Sequence, residues 1–277
     1  MRIAITGNKG QLGTSLQSAL KDAELLLMDL PECDLTDLEA ATATIGRFQP
    51  EVVIHCAALT NVDGCERDPE AAYRVNVLGT RNVAVAAQQT GSSMVYISTD
   101  YVFDGTKGEP YWEYDDANPL SVYGRTKWVG EGLVRSLVPR YYVVRIAWLY
   151  AQGFRNFVET VLRLAQERGR LTMVTDEVGS PTYAPDVAQA IARLIRLPAY
   201  GTYHLPNSGA CSRYEWAREI LRQAGRTDVE LIPSENYPRP ARVPKRAELR
   251  NFCAAELGIV MRPWQQALED YFAGQTK

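Results

Sequence analysis

Short apolar runs alternate with helical patterns through the first half of the chain. The runs are rich in β-branched residues, as buried strands are, and predict strands at 3–5, 24–28, 51–56, 94–97 and 142–146. Helices are predicted after Gly10, from about Thr36, at 69–89 and at 123–137. This alternation predicts a parallel, doubly wound α/β sheet that binds ligands at the carboxyl ends of its strands.

After residue 146 the pattern becomes less regular. Helices are predicted at 154–168, 185–196, 214–224, 247–257 and 263–272, with a strand at 202–205 and a proline-rich loop at 233–244. We expect residues 1–150 to form the doubly wound domain, which also receives a later segment near 171–200. Residues 151–277 are expected mainly to form a smaller C-terminal substrate lobe.

A glycine loop follows the first predicted strand. Gly7, Gly10 and Gly13 are spaced as G-x-x-G-x-x-G, and Gln11 and Leu12 stand where a helix begins. In this context glycine lets the backbone approach a pyrophosphate, and the helix N-terminus offers free N–H groups. The spacing differs from the usual G-x-G-x-x-G, and turns also use glycine for steric reasons alone. The loop therefore predicts dinucleotide binding only together with other motifs.

Asp29 ends the second predicted strand, sixteen residues after Gly13. A carboxylate at this position can accept hydrogen bonds from the adenosine ribose, and it repels the 2′-phosphate of NADPH. Lys9 in the glycine loop could instead pair with that phosphate. We expect NADH and NADPH both to be usable, with a slight preference for NADH.

Several residues near the third predicted strand have two interpretations. Ala57 and Ala58 follow it, and such small side chains would let a flat cofactor lie against the backbone, although tight packing alone would explain them. His55, on the apolar strand itself, is interpreted as a core histidine rather than a ligand. Asn76 interrupts the apolar face of the helix at 69–89 and is expected to bond to a neighbouring strand or loop.

Thr99, Tyr123 and Lys127 form a candidate proton-donating group. Thr99 ends the fourth predicted strand, and Tyr123 and Lys127, four residues apart, share one face of the next helix. A free phenol has a pKa of about 10, which makes it a reluctant acid near neutral pH. We expect Lys127 to lower the pKa of Tyr123, and Thr99 to donate to the oxygen that takes the proton. Alone, Y-x-x-x-K is usually an exposed helix pair; its place after Thr99 and a glycine loop favours catalysis.

Composition narrows the classes of partner. The 277 residues are 46% hydrophobic and 23% charged, and the formal net charge of −3 argues against nucleic acid or an anionic membrane. Five cysteines without a C-x-x-C pair indicate free thiols in a reducing compartment, and with only two histidines no metal site is expected. No apolar run approaches the roughly 18 residues of a membrane span, so we expect a cytoplasmic protein.

Taken together, the motifs resemble the extended short-chain dehydrogenase/reductases, and within them the dTDP-4-dehydrorhamnose reductases. Further segments that carry the resemblance are 34–37, 57–63, 98–105, 123–127, 145–150 and 179–182. The resemblance implies that residues 1–150 form a Rossmann-type NAD(P)-binding domain. It also implies NAD(P)H-dependent reduction of the C4 ketone of dTDP-4-dehydro-6-deoxy-L-mannose to dTDP-L-rhamnose, with Tyr123 as proton donor. The partner would be a dTDP-linked 4-keto-6-deoxy sugar, and a homodimer stays open.

The resemblance also assigns residues to the site. Thr99, Tyr123 and Lys127 would be catalytic, with Lys127 bonded to the nicotinamide ribose. Thr99, Asp100 and Trp148 would bind the substrate, Asp100 through sugar hydroxyls and Trp148 over the sugar ring. A strand-end cap and core packing are the alternative interpretations of these last two. The implied cofactor-binding residues are Gly7, Gly10, Gln11, Leu12, Gly13, Asp29, Asp34, Leu35, Ala57, Ala58, Thr60, Ser98, Tyr123 and Lys127.

Other reactions and substrates are weighed against this interpretation. The family usually has threonine or serine at Ala147 and serine at Ala247, so a reductase of another 4-keto sugar nucleotide stays an alternative. Related dehydratases have a glutamate where Tyr101 stands, and related epimerases are usually longer in the second lobe, so both reactions are disfavoured. A non-catalytic cofactor-binding regulatory subunit of the methionine adenosyltransferase type is a further alternative, which the three catalytic candidates weaken.

Overall fold

The computed structural model describes residues 1–274, so the last three residues of the predicted lobe lie outside it. The strands are β1 (Arg2–Thr6), β2 (Glu24–Met28), β3 (Val52–His55), β4 (Ser93–Thr99), β5 (Tyr141–Ile146), β6 (Leu149–Tyr150), β7 (Arg170–Val174), β8 (Val178–Gly179), β9 (Thr182–Tyr183), β10 (Gly201–His204), β11 (Cys211–Ser212) and β12 (Glu230–Ser234). Six of them form one parallel sheet in the order β10-β5-β4-β3-β1-β2. The predicted fold class is confirmed.

The helices follow the strands as the alternation predicts. They are α1 (Gln11–Ala19), α2 (Leu38–Phe48), α3 (Val62–Arg67), α4 (Pro69–Tyr73), α5 (Thr80–Thr90), α6 (Val122–Leu137), α7 (Phe157–Glu167), α8 (Ala184–Leu194), α9 (Arg213–Gln223), α10 (Cys253–Glu256) and α11 (Trp264–Ala273). Among these helices none is long and apolar enough to cross a membrane. The predicted helix at 69–89 is α4 and α5 joined by a π-helical segment, Arg74–Gly79. Such segments often occur at functional sites.

Apolar layers cover both faces of the sheet. Side chains of α1 and α8 pack on one face with the apolar residues of β1, β4 and β5, and those of α2, α5 and α6 pack on the other. Strands buried on both faces are apolar along their whole length rather than alternating, which is why the sequence reveals them. A further apolar cluster joins α7, α9 and α11, which belong to the later part of the chain.

A later segment of the chain returns to the sheet. β10 pairs in parallel with β5, and α8 packs against α1, so residues from Ala184 to His204 join the first half of the chain. In contrast, β7 pairs with β12 in a separate two-stranded sheet. The pairing partners of these strands are distant in sequence, and local patterns do not indicate them.

Two predicted helix boundaries are wrong. α2 begins after Asp37, whose carboxylate accepts the Ala40 N–H at 3.0 Å, whereas Thr36, where the helix was predicted to begin, bonds to Asp34. The helix predicted at 247–257 is reduced to Cys253–Glu256. Backbone bridges to distant strands and loops hold Arg246 and Leu249 in extended structure, and this long-range pairing overrides local helix propensity.

Candidate active site

The glycine loop brings the backbone after β1 against the backbone after β3. Gly7 has a φ of +67°, and a Cβ built on it would lie 2.6 Å from the nitrogen of Ala57. A Cβ on Gly13 would lie 2.3 Å from the carbonyl oxygen of Gly7. Both positions therefore require glycine, and at the helix start Gly10 places no side-chain cap on the first N–H groups of α1.

A cavity of about 880 Å³ opens beside this loop, at the carboxyl ends of the central strands. Every residue predicted to bind the cofactor lines the cavity, as do the predicted substrate residues Thr99 and Trp148. Asp100 does not line it. The sheet topology thus brings residues from widely separated parts of the sequence to one site.

Asp29 is a cavity residue, and the neighbouring Lys9, which is not one, already has partners. Asp29 lines the cavity and accepts the backbone N–H of Lys9 at 3.0 Å. The Lys9 ammonium donates to Glu32 at 2.7 Å and to the carbonyl of Leu30 at 2.7 Å. The other Asp29 carboxylate oxygen accepts the Leu30 N–H at 2.9 Å, and Glu32 neutralises the nearby Lys9 ammonium.

Tyr123 is partly exposed to the cavity, although protein atoms surround it closely. Its ring meets that of Tyr101 edge-on, with centroids 5.9 Å apart. Burial raises the pKa of Tyr123 above its ordinary value of 10.0, and a hydrogen bond with Thr99 opposes the rise. The expected lowering by Lys127 is therefore wrong, because desolvation of the phenolate is the larger effect. The phenol keeps its proton and can donate it.

Lys127 is buried beside Tyr123. Its ammonium nitrogen lies 4.1 Å from the centroid of the Tyr96 ring, a cation–π contact. Burial lowers the pKa of Lys127 to about 7, and the charge of Glu131 opposes this. The protonation state of Lys127 therefore changes near neutral pH.

Asp100 lies behind Thr99 rather than on the cavity wall. The Thr99 hydroxyl donates to the Asp100 carboxylate at 2.9 Å, and the side chain of Asp100 is only 3% exposed. Burial raises the pKa of Asp100 to about 7, while the Thr99 hydrogen bond and the charge of Arg213 oppose the rise. The side chain of Asp100 turns inward to Thr99, and its contact with sugar hydroxyls stays a prediction.

The Trp148 indole is held firmly at the cavity. Its backbone has a φ of +47°, a strained conformation of the kind that clusters at functional sites. The Arg213 guanidinium lies 3.5 Å from the ring centroid, and Trp216 stacks at 5.5 Å. A Cβ on Gly179 would lie 2.7 Å from the indole, so the ring needs a glycine there. Ala147 and Ala247 are buried and do not line the cavity.

Further residues line the cavity that the sequence did not single out for it. They are Leu30, Cys33, Thr36, His55, Cys56, Leu59, Val75, Ile97, Ile146, Leu149, Phe154 and Arg155. Leu59 could have been found, since it stands between Ala58 and Thr60. Arg155, an exposed cation after β6, carries no motif.

Two buried polar residues hold this region together. The His55 ring bonds to the hydroxyls of Thr6 at 2.6 Å and Thr80 at 3.0 Å, which confirms its interpretation as a core histidine. The Asn76 side chain accepts the backbone N–H of Leu59 and donates to the Leu59 carbonyl, and it also donates to the Thr126 hydroxyl at 3.0 Å. It therefore ties a cavity loop to α6. Over residues 1–274 no group of three or more His, Cys, Asp or Glu side chains could hold a metal ion.

The doubly wound sheet brings a glycine loop and the side chains of Thr99, Tyr123 and Lys127 to one cavity. Together these features define the class of Rossmann-type oxidoreductases. The family model described as RmlD substrate binding domain matches residues 1–276. The spore coat polysaccharide biosynthesis protein SpsK of Bacillus subtilis is 37% identical over 98% of this chain and 96% of its own length.

Solved structures of dTDP-4-dehydrorhamnose reductases are similar along the whole chain. The enzyme from Clostridium acetobutylicum has a TM-score of 0.96 and 42% identity, with all of both chains covered. The enzyme from Bacillus anthracis, in complex with NADP, has a TM-score of 0.95 and 38% identity over 99% of each chain. This chain belongs to the RmlD substrate binding domain family, and the resemblance inferred from the motifs is confirmed.

Proposed function

We propose that this chain reduces the C4 ketone of dTDP-4-dehydro-6-deoxy-L-mannose (dTDP-4-dehydrorhamnose) to dTDP-L-rhamnose, with NADH or NADPH. The observation that carries this proposal is one cavity lined by the glycine loop, Thr99, Tyr123, Lys127 and Trp148. Similar enzymes from Clostridium acetobutylicum and Bacillus anthracis are named dTDP-4-dehydrorhamnose reductases, and they cover the chain from end to end.

The residues present fit a nicotinamide dinucleotide. Gly7 and Gly13 leave spaces that any Cβ would fill, so that a pyrophosphate can approach the backbone and the N-terminus of α1. Asp29 stands where an adenosine ribose would present its hydroxyls. When bound, the reduced nicotinamide supplies the hydride.

The chain's own residues then supply the proton. The phenol of Tyr123 is protonated because burial disfavours the phenolate, and it can donate to the ketone oxygen as charge develops there. The hydroxyl of Thr99 donates to Asp100 in the structure, and it would turn from this carboxylate to stabilise the ketone oxygen. Lys127 holds the nicotinamide ribose, and Trp148 orients the sugar ring.

NADH is the preferred cofactor in this proposal. The carboxylate of Asp29 would repel a 2′-phosphate, and the ammonium of Lys9 is already paired with Glu32. The protein is further proposed to act in the cytoplasm. A homodimer stays a prediction, which light scattering on the purified chain would test.

Cofactor consumption tests the function directly. We would follow oxidation of NADH and NADPH with dTDP-, UDP- and GDP-linked 4-keto-6-deoxy sugars as substrates. The expected result is fastest turnover of dTDP-4-dehydrorhamnose. Faster turnover of another sugar nucleotide would reassign the substrate, whereas no turnover of any, with copurification of a larger enzyme, would favour a regulatory subunit.

A further inference from the structure

A carboxylate buried behind the active site connects three elements of the fold. Glu131 lies on α6, one turn beyond Lys127, and its side chain is 0% exposed. One carboxylate oxygen accepts from the Ser98 hydroxyl at 2.6 Å and from Arg145 Nε at 2.9 Å. The other accepts from Arg145 at 2.8 Å and from Arg135 at 2.6 Å. Glu131 does not line the cavity, so neither cofactor nor substrate can contact it.

Stability alone is a weak explanation for this arrangement. Two charges removed from water cost free energy, and apolar residues of similar volume often stabilise a core at least as well. Arg145 is 2% exposed and also bonds to the carbonyl of Glu113 and the ring of His204, each at 3.3 Å. The bidentate pair is therefore fixed in direction as well as in distance.

The placement of Glu131 suggests what it fixes. Ser98 immediately precedes Thr99 on β4, and Tyr123 and Lys127 lie earlier on α6. We propose that Glu131 is a positioning residue, which holds Ser98 to α6 and so keeps Thr99 in register with Tyr123 and Lys127. This inference rests on the proposed function of the site.

The packing of α6 gives this register its importance. A Cβ on Gly124 would lie 2.1 Å from the carbonyl oxygen of Tyr101, and a Cβ on Gly130 would lie 2.2 Å from the hydroxyl of Tyr96. The helix backbone thus lies directly on β4 and on the turn that follows it. Without flexible side chains between them, a slide of the helix along the strand moves Tyr123 relative to Thr99 by the same amount.

Glu131 also sets the charge around Lys127. The titratable groups that interact with Lys127 are Glu131 on α6, Tyr96 on β4, and His55 and Cys56 at the end of β3. Tyr123 lies one turn earlier on α6, and Arg145 lies beyond Glu131 on β5. Burial raises the pKa of Cys56 to about 12 and lowers that of His55 to about 3, so both are neutral at pH 7.

Glu131 is consequently the negative charge that supports the ammonium of Lys127. Burial by itself would raise the pKa of Glu131, but hydrogen bonds and charge from Arg145 lower it overall. Loss of this charge should lower the pKa of Lys127 further, so that the lysine loses its proton at lower pH. A residue with a purely structural role would not change the pH at which Lys127 loses its proton.

The test compares Glu131→Gln with the wild type and with Arg135→Gln. Glutamine keeps the size and reach of the side chain but removes its charge. We expect kcat to fall by about tenfold to a hundredfold, the scale of a misplaced catalytic group, and the decline of kcat at high pH to begin at lower pH. NADH affinity at acidic pH should stay unchanged. Arg135→Gln removes only the partly exposed donor and should match the wild type.

A folded Glu131→Gln enzyme with the kcat and pH profile of the wild type would overturn the inference. A lower melting temperature together with a lower kcat, at an unchanged pH profile, would also overturn the inference, because it would indicate a structural role only. If the variant does not fold, Ser98→Ala decides, because it leaves the Glu131–Arg145 pair intact. Lower kcat at unchanged NADH affinity supports the inference; unchanged kcat, or a loss explained by NADH affinity, overturns it.

Failure of the proposed function is recognised separately, because wild-type turnover is measured first. If the wild type does not turn over the sugar nucleotide, the pH dependence of NADH affinity, followed by fluorescence, still compares the two proteins. The midpoint at which affinity falls should lie at lower pH in Glu131→Gln, since the ammonium of Lys127 donates to the ribose. Identical midpoints would overturn the role of Glu131.

Discussion

Replacing Gly13 by alanine tests the dinucleotide cradle with one added methyl group. The new Cβ would lie 2.3 Å from the carbonyl oxygen of Gly7 and 2.6 Å from the Cα of Asn8. Both are backbone atoms, and real Cβ contacts essentially never fall below 3.0 Å, so the loop itself must shift. The shift would move the backbone that we propose to bind the pyrophosphate.

The magnitude follows from the cost of overpacking. Forcing an extra methyl group into a close-packed site costs about 1–3 kcal/mol, and about 1.4 kcal/mol changes a dissociation constant tenfold. If the displaced loop must be restored on binding, NADH affinity should fall by about fivefold to a hundredfold. Fluorescence titration of NADH measures this, with a melting curve to show that the variant is folded.

Gly46→Ala in α2 is the matched control. A Cβ at Gly46 meets nothing within 4 Å, so NADH affinity should be unchanged. Stability should rise by about 0.5–1 kcal/mol, because alanine favours a helix over glycine. A folded Gly13→Ala protein that binds NADH as tightly as the wild type would refute the assignment of this loop.

Two further predictions concern charged side chains. Glu32→Gln should shift the cofactor preference toward NADPH by about twofold to fivefold, the scale of an exposed ion pair, because it frees the ammonium of Lys9 for the 2′-phosphate; an unchanged ratio of NADPH to NADH affinity would contradict this. Asp104 bonds to Thr106, Tyr111 and Asn118, and despite some burial these bonds lower its pKa from 3.8 to about 2. Its contribution to stability is therefore present above pH 3.8 and lost as the pH falls toward 2. Urea unfolding of Asp104→Asn should depend less steeply on pH in this window than that of the wild type, and equal slopes would contradict the assignment.

The sequence indicated the sheet well, for a physical reason. The apolar runs at 3–5, 24–28, 51–56, 94–97 and 142–146 each correspond to a strand within one or two residues. Parallel strands between two helical layers are apolar on both faces, so a single sequence reveals them. The same physics favours small residues at the loop after β1, where Gly7 and Gly13 admit no Cβ.

Properties that depend on burial were not predictable from spacing. Glu131 stands four residues from both Lys127 and Arg135, which on an exposed helix would indicate only a surface pair. Its burial results from the packing of α6 against β4 and β5, and Arg145 comes from a distant strand. Asp100 illustrates the same limit, because its position after Thr99 does not show that its side chain turns inward.

The prediction that the pKa of Tyr123 is lowered failed for a related reason. Spacing placed the Lys127 ammonium near the phenol, and charge alone would have lowered the pKa of Tyr123. Burial acts in the opposite direction and is larger. Likewise, the helix predicted at 247–257 was judged on local propensity, whereas long-range bridges at Arg246 and Leu249 determine the backbone there.

The central claim is that Tyr123 donates the proton during ketone reduction. The most direct measurement is kcat for dTDP-4-dehydrorhamnose and NADH in Tyr123→Phe, beside the wild type. Tyr114→Phe, which alters an 80% exposed tyrosine outside the cavity, serves as the control. We predict that Tyr123→Phe lowers kcat at saturating NADH by at least about a hundredfold, and that Tyr114→Phe has no effect. Near-normal turnover by Tyr123→Phe would contradict the account.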